Sequence, residues 1–356
     1  MTLATDIEHP ESFHGLPVYV LPTPGETPLG EAEHGGATPG STGGSRPGSA
    51  DGRTAPAGSL PAADAVAWRL ESAWQHDLDF PVLWRHFLDS VDTSRVRALL
   101  IGPWWEDEYT PLTQVVELLS ADAARLPSLR GLFLADVESE ECEVSWLQLC
   151  DITPVLEAYP LLEELVVRGG GTTGQPEDGE TLRLRPLRHT SLKSLRFESG
   201  GLPGHVVRAV GACELPALRS LELWLGSDWY GGDATVEDLA PLLSGGGLPA
   251  LRHLGLQNSV VQDEIAAAVA SAPVVAQLDS LSLAMGTLSD TGVEALLAGQ
   301  PLSHLSRLDL RHHYLDEEMV LRLTSACAPA VVDAEPGEAS DFDPDEDDER
   351  YVAVSE

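Results

Sequence analysis

The apolar positions return eight times to one short pattern, Leu-x-x-Leu-x-Leu. The copies are VRALLI from Val96, LRGLFL from Leu129, LEELVV from Leu162, LKSLRF from Leu192, LRSLEL from Leu218, LRHLGL from Leu251, LDSLSL from Leu278 and LSRLDL from Leu305. Their first residues lie 33, 33, 30, 26, 33, 27 and 27 positions apart, which is the signature of stacked supersecondary units. VAWRLES, beginning at Val66, reads as a degenerate capping strand ahead of them. Between the hexamers, PLTQVVELLSADAARL, SWLQLCDITPVLEAY, GHVVRAVGA, TVEDLAPLLSGG, QDEIAAAVASA, SDTGVEALLAG and DEEMVLRLTSACA place apolar residues three and four apart, as helices do. Several open on Ser, Thr or Asp with an acid in the first turn, which suits an N-cap and the helix dipole.

Each unit is therefore strand, loop, helix, return. One strand and one helix cannot hide their apolar faces alone, so the units must stack and share a core. The predicted fold class is α/β: a repeat solenoid with a parallel β-sheet on its concave face and helices on its convex face.

The flanks depart from this pattern and divide the chain. Residues 1–22 contain FHGLPVYVLP, enough for one short strand or an extended strip on the body. Residues 23–64 collapse into Gly, Pro, Ser, Thr and Ala and predict a linker with little to bury. Residues 65–332 form the repeat domain. The tail, 333–356, carries ten acids and one base between Asp333 and Arg350, then ends in YVAVSE. There Tyr351, Val352 and Val354 alternate like a small strand able to dock on a sheet edge; a frayed terminus is the plainer expectation.

Charge narrows the partners. With 57 acidic against 21 basic residues in 356, the net charge of -36 repels phosphate backbones and anionic lipid, so neither nucleic acid nor a membrane is expected. Cys142, Cys150, Cys213 and Cys327 form no CxxC pair and predict buried, reduced thiols. The opening residues lack a basic and apolar leader pattern, and no run approaches a membrane span, which predicts a cytoplasmic chain.

The hexamers and their helical partners resemble the leucine-rich-repeat superfamily, in its ribonuclease-inhibitor-like class, over about Val96 to Ala328. LDSLSLAMGTLSDTGVEALLAG, from Leu278, is the nearest copy. The family usually places Asn or Cys at the ninth position of the repeat, whereas Val137, Gly170, Gly200, Gly226, Ser259, Gly286 and His313 stand there in this chain. LPVYV, SDWYGGD, RHHYLDEEM and YVAVSE are similar to a family of bacterial leucine-rich-repeat proteins commonly encoded beside radical-SAM, hydrolase and ATP-grasp-like proteins. That resemblance implies an accessory part in a modification pathway and assigns no activity and no cofactor.

Candidate binding residues follow from the strand period. Positions 3, 5 and 7 of each hexamer point to the concave face. They are small or apolar early (Ala98, Leu100, Gly131, Phe133, Val166) and polar late (Arg196, Glu222, His253, Ser280, Asp309), with Arg168 and Trp224 at the seventh position. Just past the strands, loops carry aromatics beside acids: Trp104, Trp105 and Glu106; Glu138 within DVESEECEVSW; Asp228, Trp229 and Tyr230; and His312 with His313. Aromatic area flanked by carboxylates suits a hot-spot patch for a basic protein or peptide.

The leading expectation is thus a non-catalytic protein- or peptide-binding scaffold. The alternative is a metal-dependent hydrolase or accessory catalyst using the acidic loops (Glu106, Asp107, Glu108, Glu138, Glu140, Glu141, Glu143), since hard cations take clustered oxygens. No loop has EF-hand spacing, and adjacent His312 and His313 should point to opposite faces. No HExxH, GxSxG or phosphate-binding glycine motif is present in a supporting context.

Overall fold

The computed structural model describes residues 7–24, 59–72, 78–105, 110–170, 181–342 and 349–355. Every leucine hexamer forms a strand: β4 (Ala98–Ile101), β5 (Gly131–Leu134), β6 (Glu164–Arg168), β7 (Ser194–Glu198), β8 (Ser220–Gly226), β9 (His253–Ser259), β10 (Ser280–Ser282) and β11 (Arg307–Asp309). VAWRLES supplies β3 (Ala67–Leu70). The N-terminal segment is a hairpin, β1 (Ser12–Phe13) and β2 (Leu16–Val20), and Val331–Asp333 adds β12. These twelve strands make one sheet in sequence order, parallel throughout except for the antiparallel β1–β2 pair.

Register explains the order. Matched repeat positions pair directly, Leu195 with Leu221, Leu221 with Leu254, Leu254 with Leu281 and Leu281 with Leu308. The leucines therefore stack into columns beneath the sheet, each fully or almost fully buried. Removing such area from water stabilises by roughly 1.5–3 kcal/mol per side chain before entropy is counted.

The described helices are α1 (Phe80–Ser90), α2 (Thr113–Ala121), α3 (Thr153–Ala158), α4 (Gly204–Ala212), α5 (Val236–Ser244), α6 (Gln262–Val269), α7 (Asp290–Ala298) and α8 (Glu317–Cys327). Each presents buried residues to the same core, as Leu239, Leu242 and Leu243 of α5 do. The fold is the α/β leucine-rich-repeat solenoid that the hexamers predict. Most of the linker, residues 25–58, lies outside the described residues, as do 171–180, within the glycine-rich loop of the third repeat.

One local difference has a physical cause. The helix expected over SWLQLCDITPVLEAY shrinks to Thr153–Ala158, because the Asp151 carboxylate accepts both the Thr153 N–H and its hydroxyl and Pro154 sits in the first turn. Upstream, Gln148 and Asp151 make isolated bridges to Gly170 and Arg183. Asp233, just ahead of α5, accepts the Gly204 N–H at the start of α4 at 2.6 Å, while Thr235 and Asp238 form the capping box of α5. Asp263 repeats this cross-unit bond, accepting the Ser289 N–H at 2.7 Å beside the start of α7.

Loops lacking the family's asparagine bond neighbours through main chain, as Asp136 N–H to Ile101 O at 2.6 Å and Ser227 N–H to Gly200 O at 2.8 Å. His313, at the ninth position, takes the side-chain role: Nδ1 accepts the Leu315 N–H and Nε2 donates to Ala334 O. Gly226 (φ +69°) is obligatory, since a Cβ there would fall 1.8 Å from Gly200 O.

Candidate functional site: the loop edge of the late repeats

At the C-terminal ends of three successive strands the chain turns out through a left-handed residue: Asn258 (φ 55°), Met285 (φ 70°) and His312 (φ 55°). They recur every 27 residues. Their amides bond forward, to Ala284 O, Arg311 O and Glu335 O, so each turn is tied to the next unit. The remaining groups face one strip of chain, residues 351–355.

That strip is held mainly by its backbone. His312 Nε2 donates to Tyr351 O at 3.1 Å, and Met285 O accepts the Ala353 N–H at 2.8 Å. The Asn258 amide closes on both sides of Val354, donating to its carbonyl at 2.5 Å and accepting its N–H at 2.9 Å. Ser145 Oγ donates to Ser355 O. Gly200 lets this carbonyl pass, because a Cβ there would stand 2.3 Å from it. Val352 and Val354 are buried, the latter with Ile7, Val144, Ala284 and Met285, against half-buried Trp224. Tyr351 packs edge-on to His312 and Tyr314. The frayed terminus is thus corrected to a docked segment.

Beside it opens a cleft of about 880 Å³. One wall is Glu349–Val352 with Ser355; the other comprises Ser227–Tyr230, the starts of α6 and α7, Val260 and Thr287. Trp229 is 83% exposed at this cleft. Asp228, Glu264 and Glu349 line it without an ion pair to any described residue, whereas Arg350 lies over the Tyr314 ring at 5.5 Å.

The other predicted residues are placed differently. Trp104 and Trp105 are buried, packed edge-to-face at 4.7 Å, with Trp104 Nε1 donating to Thr110 O. They close the core instead of protruding. His312 and His313 are buried, and burial lowers both pKa values, so they serve as neutral hydrogen-bonding groups. Arg168 is buried with its Nε on Glu198 at 2.8 Å and its guanidinium 4.9 Å above Phe133. Glu138 is half-buried, and Glu106 lies outside the described residues.

The concave sheet is also less open than its pattern suggests. Phe13, Leu16 and Val18 of the hairpin segment cover Ala98, Leu100, Phe133 and Val166, with Phe13 and Phe133 5.9 Å apart, and His14 lies against Gly131. Later, Arg196 pairs with Glu222 at 2.9 Å and His253 stands 3.3 Å from the same carboxylate. Burial would raise the Glu222 pKa, but His253 and Arg196 outweigh it and hold it below the usual range.

His9, Glu138 and Glu141 bring one ligand atom each within 4.8 Å of one another. Arg69 occupies their midst: its Nη2 is 2.7 Å from His9 Nε2 and 3.8 Å from Glu141. Beneath them Asp136, fully buried, lies 3.3 Å from His9 Nδ1. Burial and the adjacent Arg69 guanidinium lower the His9 pKa, yet hydrogen bonds to Asp136 and Glu141 prevail and raise it to about 9. Cys142, next to this group, is pushed up to about 12 by burial and by Glu143 and Glu141, which leaves a thiol at neutral pH.

No family model and no curated protein matches the chain. Among solved structures, a Bacteroides fragilis protein determined by the Northeast Structural Genomics Consortium is similar, with 25% identity and a TM-score of 0.66 over 76% of this chain and 74% of that one. The shared element is the repeat solenoid. No described helix is long and apolar enough to cross a membrane.

Proposed function

We propose that the chain is a non-catalytic scaffold of the leucine-rich-repeat type, whose partner is a protein or peptide presenting an extended basic segment to the cleft beside Trp229. The observation that carries this reading is the pairing of an 83% exposed indole with Asp228, Glu264 and Glu349, three carboxylates that form no ion pair with a described residue and outnumber Arg350, the cation on the cleft wall. Exposed indole area supplies a desolvated anchor, and unpaired carboxylates steer a cation to it. An accessory part in a bacterial modification pathway fits the family resemblance and a cytoplasmic setting. The catalytic alternative has His9, Glu138 and Glu141 as its best cluster, where a guanidinium already takes the cation's place.

The test is titration of full-length protein with a lysine- and arginine-rich nonapeptide, followed by isothermal calorimetry. Replacing Trp229→Ala together with Asp228→Asn is expected to weaken binding by roughly 30-fold, equivalent to about 2 kcal/mol at a hot spot. Equal affinity in the variant removes this surface.

A further inference from the structure

We propose that Asn258, Met285 and His312 form a receptor site for an extended peptide, that residues 351–355 are its ligand bound in cis, and that their docking builds one wall of the cleft. The last step rests on the reading of that cleft as a binding site; the first two do not.

Three features mark this as a binding site. The contacts fall on the main chain of the bound strip, at Tyr351 O, Ala353 N–H and both polar groups of Val354, as in strand-addition recognition. The clamp is built from turns, not from sheet hydrogen bonding: left-handed backbone at Asn258 turns its amide toward the strip, and Asn tolerates that conformation better than most residues. Selectivity comes from alternate side chains. Val352 and Val354 are buried, half-buried Ala353 lies between them, and Tyr351 sets its ring against His312 and Tyr314. The ligand class is therefore an extended segment with an aromatic residue followed by aliphatic residues one and three positions later.

The seat is not fully satisfied. Trp224 Nε1 and His312 Nδ1 are buried there without a hydrogen-bond partner among the described residues. A competing segment with an acceptor over Trp224 would bind better than the chain's own. Displacement would also remove Glu349 through Val352 from the cleft wall.

The experiment uses the full-length chain and a fluorescein-labelled peptide of sequence RYVAVSE, identical to residues 350–356. In the wild type the tethered strip competes at an effective concentration on the order of millimolar, so the peptide is excluded. Val352→Asp with Val354→Asp should empty the seat, and labelled peptide should then bind at least about tenfold more tightly than to wild type. Adding Asn258→Ala should abolish that gain. Equal binding to wild type and the emptied chain, or none to a folded emptied chain, overturns the proposal.

Should the double variant fail to fold, hydrogen exchange on the wild type decides. Slow exchange at the Ala353 and Val354 amides, with Val354 accelerated by Asn258→Ala, supports the seat; fast exchange at both in wild type overturns it. The basic nonapeptide is titrated against the same proteins. Loss of RYVAVSE binding with intact nonapeptide binding removes the receptor site alone, and the reverse removes the cleft reading alone.

Discussion

The two ends of the sheet are both covered by the chain's own termini, but by different chemistry. Over the early repeats, the hairpin of β1 and β2 presses Phe13 onto Leu100, Phe133 and Val166 and continues the sheet through β2 and β3. From the late repeats to Ser145 of the second, residues 351–355 lie across loop ends, held by hydrogen bonds and two valines, with Val354 also touching the cluster that contains Ile7. The first cover is a piece of core. The second exchanges water hydrogen bonds for protein ones, so its net stabilisation is small relative to its number of contacts.

The contrast is broken most severely at the hairpin. Phe13→Ala removes a buried ring from the concave cluster and is expected to cost about 3–5 kcal/mol of global stability, measured by denaturant unfolding; a cost below 1 kcal/mol would mean that the hairpin is no more integral than the C-terminal strip. Asn258→Ala should cost about 1–3 kcal/mol, with lost amide protection confined to residues 351–355. Protection lost uniformly across the sheet would show the two covers to be one cooperative unit.

The smallest effect sharpens how the N-terminal segment is fastened. His9 bonds Asp136, and its folded pKa of about 9 lies above the unfolded value near 6.5. Its contribution to stability is complete below about pH 6.5 and is lost as the pH rises through about 9. Thermal unfolding from pH 6 to pH 9.5 should show that decline in wild type and a flatter profile in His9→Gln. A wild-type profile that rises across this window contradicts the assigned pairing.

The solenoid was legible because it rests on side-chain period. Leu221, Leu254, Leu281 and Leu308 announce their columns through spacing alone, and β4 to β11 follow. Helix α1, which lies ahead of the first hexamer, has the same kind of pattern in Phe80, Leu83, Trp84, Phe87 and Leu88, which share one helical face. The site was far less legible. Trp104 and Trp105 carry the same composition as Trp229, and only packing separates a ring that closes the core from one left in water. The row of Asn258, Met285 and His312 shares a backbone conformation and no side-chain chemistry. Asn258 alone gives a signal in sequence, and the 27-residue interval acquires meaning only once the turns are seen.

The grip on the main chain has an evolutionary corollary. Met285 offers its carbonyl to the Ala353 N–H and Asn258 brackets both main-chain polar groups of Val354, so neither bond reads a side chain. Tolerance to substitution along this strip should oscillate with a period of two, strictest at 352 and 354 and looser at 353, where the half-buried Ala353 side chain packs beside Met285 and admits small residues. Lineages can therefore exchange one small residue for another at the intervening letter while the strip keeps its place.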